Sequence, residues 1–276
     1  MVALQGQNVA STTIPAPLKG WNARDPLDAM SPLDAIRLIN LFPNTDGSVD
    51  NRGGFTEHTT GGMGGAQVET LAEVALENGT RKFIAGANGN IYDVSTSGVD
   101  GTSLRSGFNN DRWQTVMFKN TLILVNGNDQ PQQYDGTTVS DATYTGTGIT
   151  DNDFIHVNVF KQRLFFVPKD ELSLVYMDSV GAITGAATKL DLGDLCRKGG
   201  FTLFTATWTR DGGDGMDDYF AIFTSMGEVL IYNGDYPGGT WQLQGRYEIP
   251  PPIGRRAAVQ TGSDVTIITD RDWETP

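Results

Sequence analysis

One short unit recurs along this 276-residue chain: a tight turn, a β-branched run ending in tyrosine, and a second turn. Its fullest form is Met226 to Gly234 (MGEVLIYNG), and the same shape is found at Asn88 to Asp93 (NGNIYD), Gln132 to Gly136 (QQYDG) and Leu174 to Asp178 (LVYMD). The tyrosines, Tyr92, Tyr134, Tyr176 and Tyr232, fall 42, 42 and 56 residues apart. A period of roughly 40 to 45 residues, each unit a few short strands, is the mark of a β-propeller, whose blades bury their faces only by stacking around an axis. The sequence therefore predicts an all-β fold, with repeats near 69–98, 113–146, 154–195 and 199–254 and a partial one at 255–276.

Within the repeats, the order of strands and turns is shared. Gln114 to Phe118, the Lys119-Asn120 turn and Leu122 to Val125 match Ile155 to Phe160, the Lys161-Gln162 turn and Leu164 to Val167. Asn78-Gly79 and Asn88-Gly89 are hairpin turn signals. On the repeat's own ruler a fifth tyrosine would fall near position 277. The last blade is thus expected to be unfinished, completed by a longer form of the chain, by the amino-terminal segment or by another subunit.

Residues 1–66 do not share the repeat. Pro15, Pro17, Pro26, Pro32 and Pro43 break the segment into extended pieces, so it reads as an arm. One short helix is expected in it, capped by Ser31, with Pro32 at its first position and Leu33, Ile36 and either Ile39 or Asn40 on one face. The strand Val49 to Phe55 and a flexible joint at Gly61 to Gly65 follow, and the propeller takes 67–276.

With 33 Asp and Glu against 20 Lys and Arg, the net charge is −13, which disfavours a surface built to hold nucleic-acid phosphates. The single cysteine, Cys196, excludes an intrachain disulfide and suits a reducing compartment. The amino terminus lacks the basic and apolar regions of an export signal. The longest aliphatic or aromatic runs have four residues, so no membrane anchor is expected.

No motif carries recognisable catalysis or cofactor chemistry. The loop Asp211 to Asp218 (DGGDGMDD) offers Asp211, Asp214, Asp217 and Asp218 as a weak metal candidate, but it lacks the EF-hand order and its closing glutamate; a solvated hairpin tip is the better reading. Asp93, Asp135 and the near-equivalent Asp178 recur after the tyrosines, which fits turn residues better than a catalytic pair held in different environments. Asp235 to Trp241 misses the sialidase Asp-box by one residue. His58 and His156 stand in unrelated contexts with no zinc or triad spacing.

Two blocks resemble the tail nozzle and packaged-DNA stabilisation proteins of short-tailed and related phages. The first is Leu18 to Asn22, Asp25 to Leu27, Met30, Ala35, Leu38, Asn40 and Pro43, then Val49, Arg52 and Gly53. The second is Gly227 to Pro237, Trp241, Tyr247 and Ile249 to Arg256 (IPPPIGRR). The resemblance implies a non-enzymatic virion protein, synthesised in the host cytoplasm and carrying a propeller. It would form a homo-oligomeric ring below the portal and adaptor, with the genome passing through unbound.

On that reading Trp21, Leu27, Ile36, Leu41 and Phe42 are expected as apolar anchors between subunits, with Arg37 and Arg52 setting register. Packing of these residues within their own chain is the competing expectation. Two other functions are weighed beside it: a carbohydrate-binding or glycosidase-like propeller using exposed aromatics such as Trp241, and a host-side interaction scaffold. No cofactor is expected on any of these readings.

Overall fold

A computed structural model describes residues 15–211, 216–261 and 264–270. The chain divides into two compact units, at Glu57 and His58.

The described part of the first unit holds two small strand pairs. β1 (Gly20–Trp21) runs parallel to β2 (Asp34–Ala35), and β3 (Leu41–Pro43) antiparallel to β4 (Val49–Asn51). The helix expected after Ser31 does not form. Ser31 does accept a backbone hydrogen bond, from Leu33 to its hydroxyl, and its carbonyl takes Asp34 N. The next carbonyls are then used elsewhere: Leu33 O accepts Lys19 N and Ala35 O accepts Asn22 N. A helix needs those oxygens for donors four residues ahead, so pairing with β1 replaces it.

The second unit begins with a segment expected to be a joint. The His58 ring Nε2 lies 2.7 Å from Val94 O, and Gly98 N and Thr60 N donate to His58 O and Val99 O. Gly62–Gly65 form a 3-10 turn whose Met63 is buried against Ala85, Ala87 and Val94. These contacts place the boundary after Glu57 rather than after residue 66.

Four antiparallel sheets follow, each with its strands in chain order. The first comprises β5 (Val68–Ala75), β6 (Arg81–Ala87), β7 (Asn90–Asp93) and β8 (Thr102–Ser106). The second comprises β9 (Gln114–Phe118), β10 (Thr121–Val125), β11 (Gln132–Tyr134) and β12 (Val139–Asp141). Next, β13 (Tyr144–Thr145) lies parallel to the outer strand of the third sheet, β14 (Phe154–Phe160), β15 (Arg163–Pro168), β16 (Ser173–Met177) and β17 (Gly185–Asp191). The fourth comprises β18 (Thr202–Asp211), β19 (Met216–Thr224), β20 (Glu228–Gly234) and β21 (Trp241–Glu248). A fifth pair, β22 (Ala258–Thr261) and β23 (Asp264–Ile267), is joined by a bridge from Pro252 to Thr269.

First strands lie side by side in series: β5 by β9, β9 by β14, β14 by β18, and β18 by the fifth pair. This is the β-propeller architecture, with each blade starting at the axis. The core is accordingly divided into layers between blades. Ile84 and Ile91 meet Leu122 and Tyr134 between the first two, and Ile123 and Val125 meet Phe154 and Phe166 between the next. Phe165 and Leu174 meet Phe220 and Leu230 between the third and fourth, while Phe204, Phe223 and Ile231 face Val265 and Ile267 of the fifth.

The repeat tyrosines do sit on the third strand of each blade, yet they do not all face the same way. Tyr92 packs with Met63, Tyr134 against the first blade and Tyr232 against the third, each facing what precedes it. Tyr176 faces forward, into the layer shared with the fourth blade, because Asp178 follows one residue later than Asp93 or Asp135 and side chains alternate in a strand.

The turns Asn88-Gly89, Lys119-Asn120 and Lys161-Gln162 have positive φ at both central residues, the hairpin geometry that matches strand twist.

Candidate functional site

The axis is built by the first strands. In three blades these carry a bulge at their first residues, between Val68 and Thr70, Phe154 and His156, and Thr202 and Phe204. A bulge re-aims the side chains beside it. Thr70, Trp113, His156 and Thr205, spaced by 43, 43 and 49 residues, all line one cavity of about 420 Å³, which Arg255, Arg256 and Gln260 of the fifth blade and its approach complete.

The two arginines clasp the axis. Arg256 Nη1 donates to Glu69 O at 2.9 Å, and its Nη2 to Thr70 Oγ1 at 3.1 Å and Trp113 O at 2.6 Å. Thr70 Oγ1 in turn donates to Asp111 O and accepts Trp113 N. Arg255 Nη1 donates to Asn126 O, in the loop after β10. That loop is fixed by Asn126 Nδ2 bonding Asn110 O and Asp129, while Asp129 accepts the backbone and side-chain amides of Asn109.

Burial, with Arg112 nearby as a second cause, pulls Arg255 and Arg256 below the usual guanidinium range. Among the described residues neither makes an ion pair; Arg112 pairs with Glu69 at 3.6 Å. His156 is lowered to about 4 by burial, with Arg255 adding to the effect, and is therefore neutral at pH 7. Four polar atoms of residues in the surrounding wall have no hydrogen-bond partner among the described residues: Trp113 Nε1, His156 Nδ1, Asn158 Nδ2 and Thr205 Oγ1.

The residues expected as subunit anchors lie in the first unit, in two groups. On β1 and just after β2, Trp21 Nε1 donates to Ile36 O, while the Trp21 ring and the Ile36 side chain are exposed. On the second pair, Leu41 is half-buried opposite Asn51, Phe42 is exposed, and Arg52 lies 5.4 Å over the ring of Phe55. Leu27 and Arg37 are exposed on the connections.

In the acidic loop, Asp214 lies outside the described residues, as do the side chains of Asp211 and Asp217. Asp211 and Asp217 belong to the β18–β19 hairpin. The Asp218 carboxylate accepts Thr209 Oγ1 at 2.9 Å and Lys161 Nζ at 3.2 Å. Among the described residues no three His, Cys, Asp or Glu side chains gather as a metal site.

The recurrent aspartates do separate local work. Burial pushes the Asp93 carboxyl up, but hydrogen bonds from Lys82 and Ser95 outweigh it and hold the group below its ordinary range. Asp135 is held low by the backbone amides of Thr138 and Thr137, and Asp178 accepts Thr188 Oγ1. Trp241 stacks on Tyr232, with ring centroids 4.8 Å apart, at the edge of the layer between the third and fourth blades.

Blade order and axis together define a β-propeller whose centre is polar and clasped by arginine. No protein-family profile and no curated protein matches the chain. Among solved structures, it is similar to a chain of the crystal structure of BBS1N in complex with ARL6DN, at 12% identity and a TM-score of 0.46, over 74% of this chain and 63% of that one. It is also similar to the N-terminal domain of Nup159, at 13% identity and a TM-score of 0.34, over 68% of each. The chain thus spans under two thirds of the BBS1N–ARL6DN chain it resembles.

Proposed function

We propose that the chain is a non-enzymatic structural subunit of a phage tail, assembled as a ring below the portal and adaptor around the DNA exit channel. The observation that carries this reading is the apolar surface of the first unit. Trp21, Leu27, Ile36, Phe42 and Phe55 are 68%, 69%, 65%, 56% and 80% exposed, on a 57-residue unit whose described strands have two or three residues each. Exposed aromatic and large aliphatic side chains are the usual anchors of protein interfaces. The two sequence blocks that resemble tail nozzle proteins supply the identity of the assembly.

The charge supports the same role. An excess of 33 acidic over 20 basic residues suits a protein past which DNA moves without being held. No helix among the described residues is long and apolar enough to cross a membrane. The carbohydrate reading finds less support, since Trp241, its aromatic platform, is engaged with Tyr232, Phe165 and Phe220.

The test is the mass of the purified chain by light scattering, alone and with portal and adaptor. A ring that is lost in the Trp21→Ser, Phe42→Ser double variant, with its circular dichroism spectrum unchanged, is the expected result. A wild-type chain that stays monomeric under both conditions refutes the proposal.

A further inference from the structure

We infer that the axial cavity of the propeller is a binding site for a small oxyanion, of carboxylate or phosphate class, held by Arg255 and Arg256. The inference is independent of the tail reading, because it rests on the second unit alone.

Charge is the first reason. Two guanidinium groups enter one cavity of about 420 Å³, a size ordinary for small-molecule sites, and a third, Arg112, stands close enough to disfavour both. Among the described residues Glu69 is the one carboxylate in the lining, and it is already paired with Arg112. Backbone carbonyls satisfy some donors of Arg255 and Arg256 without cancelling their charge, whereas an oxyanion does both and matches the guanidinium fork.

Geometry is the second. Arg256 uses Nη1 and Nη2 on three acceptors, and among the described residues Asn126 O is the one hydrogen-bond partner of Arg255, so N–H groups remain on both guanidinium groups. Buried polar atoms are nearly always paired, yet Trp113 Nε1 and Thr205 Oγ1 are not, in side chains only 2% and 4% exposed. His156 Nδ1 and Asn158 Nδ2 share that condition on the same wall. The residues that carry these groups line the cavity from the second, third and fourth blades, so a ligand held by the arginines is surrounded on several sides.

His58 and His156 are the two histidines of the chain, so ring resonances report the site and carry their own control. The full chain is titrated at pH 7 with inorganic phosphate and, separately, with citrate, with sodium chloride holding ionic strength constant. The expected result is a saturable shift of the His156 resonances, unmatched at His58, with at least one of the two anions. Saturation by phosphate alone assigns the phosphate class and by citrate alone the carboxylate class; saturation by both assigns an unselective oxyanion site.

Arg255→Gln is expected to weaken the binding about tenfold or more, through loss of a charge-assisted contact. Should that variant not fold, competition in the wild-type chain replaces it: nitrate, a weak planar anion, should shift His156 less than phosphate at equal concentration. No saturable shift with either probe, or equal shifts at His58 and His156, overturns the inference.

Discussion

Arg256 donates a 2.6 Å hydrogen bond to the carbonyl of Trp113, tying the approach to the fifth blade to the start of the second across 143 positions of sequence. The same guanidinium holds Glu69 O and Thr70 Oγ1 of the first blade, so one side chain bridges three blades. Replacing it with alanine takes one donor from each of these three acceptors, while Thr70 Oγ1 keeps its bond from Trp113 N. The expected cost is about 1–3 kcal/mol in urea unfolding. Lysine at this position should recover less than half of that, since a point charge cannot span acceptors that a planar fork reaches.

His156 makes stability depend on pH in acid. Its folded value is depressed from 6.5 to about 4, so between those values the unfolded chain binds a proton that the native chain refuses. Stability contributed by the neutral ring is complete above pH 6.5 and is lost as pH falls towards 4, by roughly 3 kcal/mol in all. In His156→Gln the pH 4–6.5 slope of unfolding free energy should be correspondingly shallower, as read by urea titrations at several pH values.

Glu228 is a buried carboxylate with a defined task. Its two oxygens accept Arg197 N at 2.9 Å and Lys198 N at 2.8 Å, stapling the loop before β18 to the first residue of β20. Glu228→Ala should destabilise by about 2–3 kcal/mol, with Glu228→Gln milder because one acceptor oxygen persists. Thermal unfolding of the three proteins checks the ranking.

Gln162 has φ of 59° in the turn between β14 and β15, a conformation that costs an L-residue energy and glycine none. Gln162→Gly is expected to stabilise by up to about 1 kcal/mol, because relief of the left-handed penalty of about 1–2 kcal/mol exceeds glycine's entropic cost of about 0.5–1 kcal/mol. Gly127 is the contrasting case: its φ is 75°, and an added Cβ would meet Ile155 Cγ2 at 2.5 Å and Arg255 Nη1 at 3.1 Å. Gly127→Ala should therefore destabilise and displace Arg255. Chemical denaturation of both variants decides the signs.

The inner parts of the blades were legible because they are buried on both faces, which leaves dense apolar runs such as Leu122 to Val125 and Leu164 to Val167. Outer strands were not. β8 (TSLRS) and β12 (VSD) meet solvent along much of their surface and carry little apolar signal, so the first repeat was expected to stop at residue 98 although its sheet runs to Ser106. Nor does local pattern announce that Tyr144 and Thr145, after the second blade, pair with the third. The axial site was not read from the sequence. Thr70, Trp113 and His156 recur at the period of the repeat, but they are unlike in chemistry, and only the convergence of first strands brings Arg255 and Arg256 to them. Ser31 to Ile39 misled because capping signals are local, whereas the partner that claims those carbonyls lies a dozen residues upstream.

Tyr176 points forward where its three counterparts point back, and this limits what can be exchanged within the molecule. In a ring of equivalent blades any one could be spliced into the place of another. Here a copy of the second blade set in the third's place would turn its tyrosine back towards the blade before it and leave the layer shared with the fourth blade without the Tyr176 ring. The tyrosine ladder, so regular along the chain, marks parts that have ceased to be interchangeable.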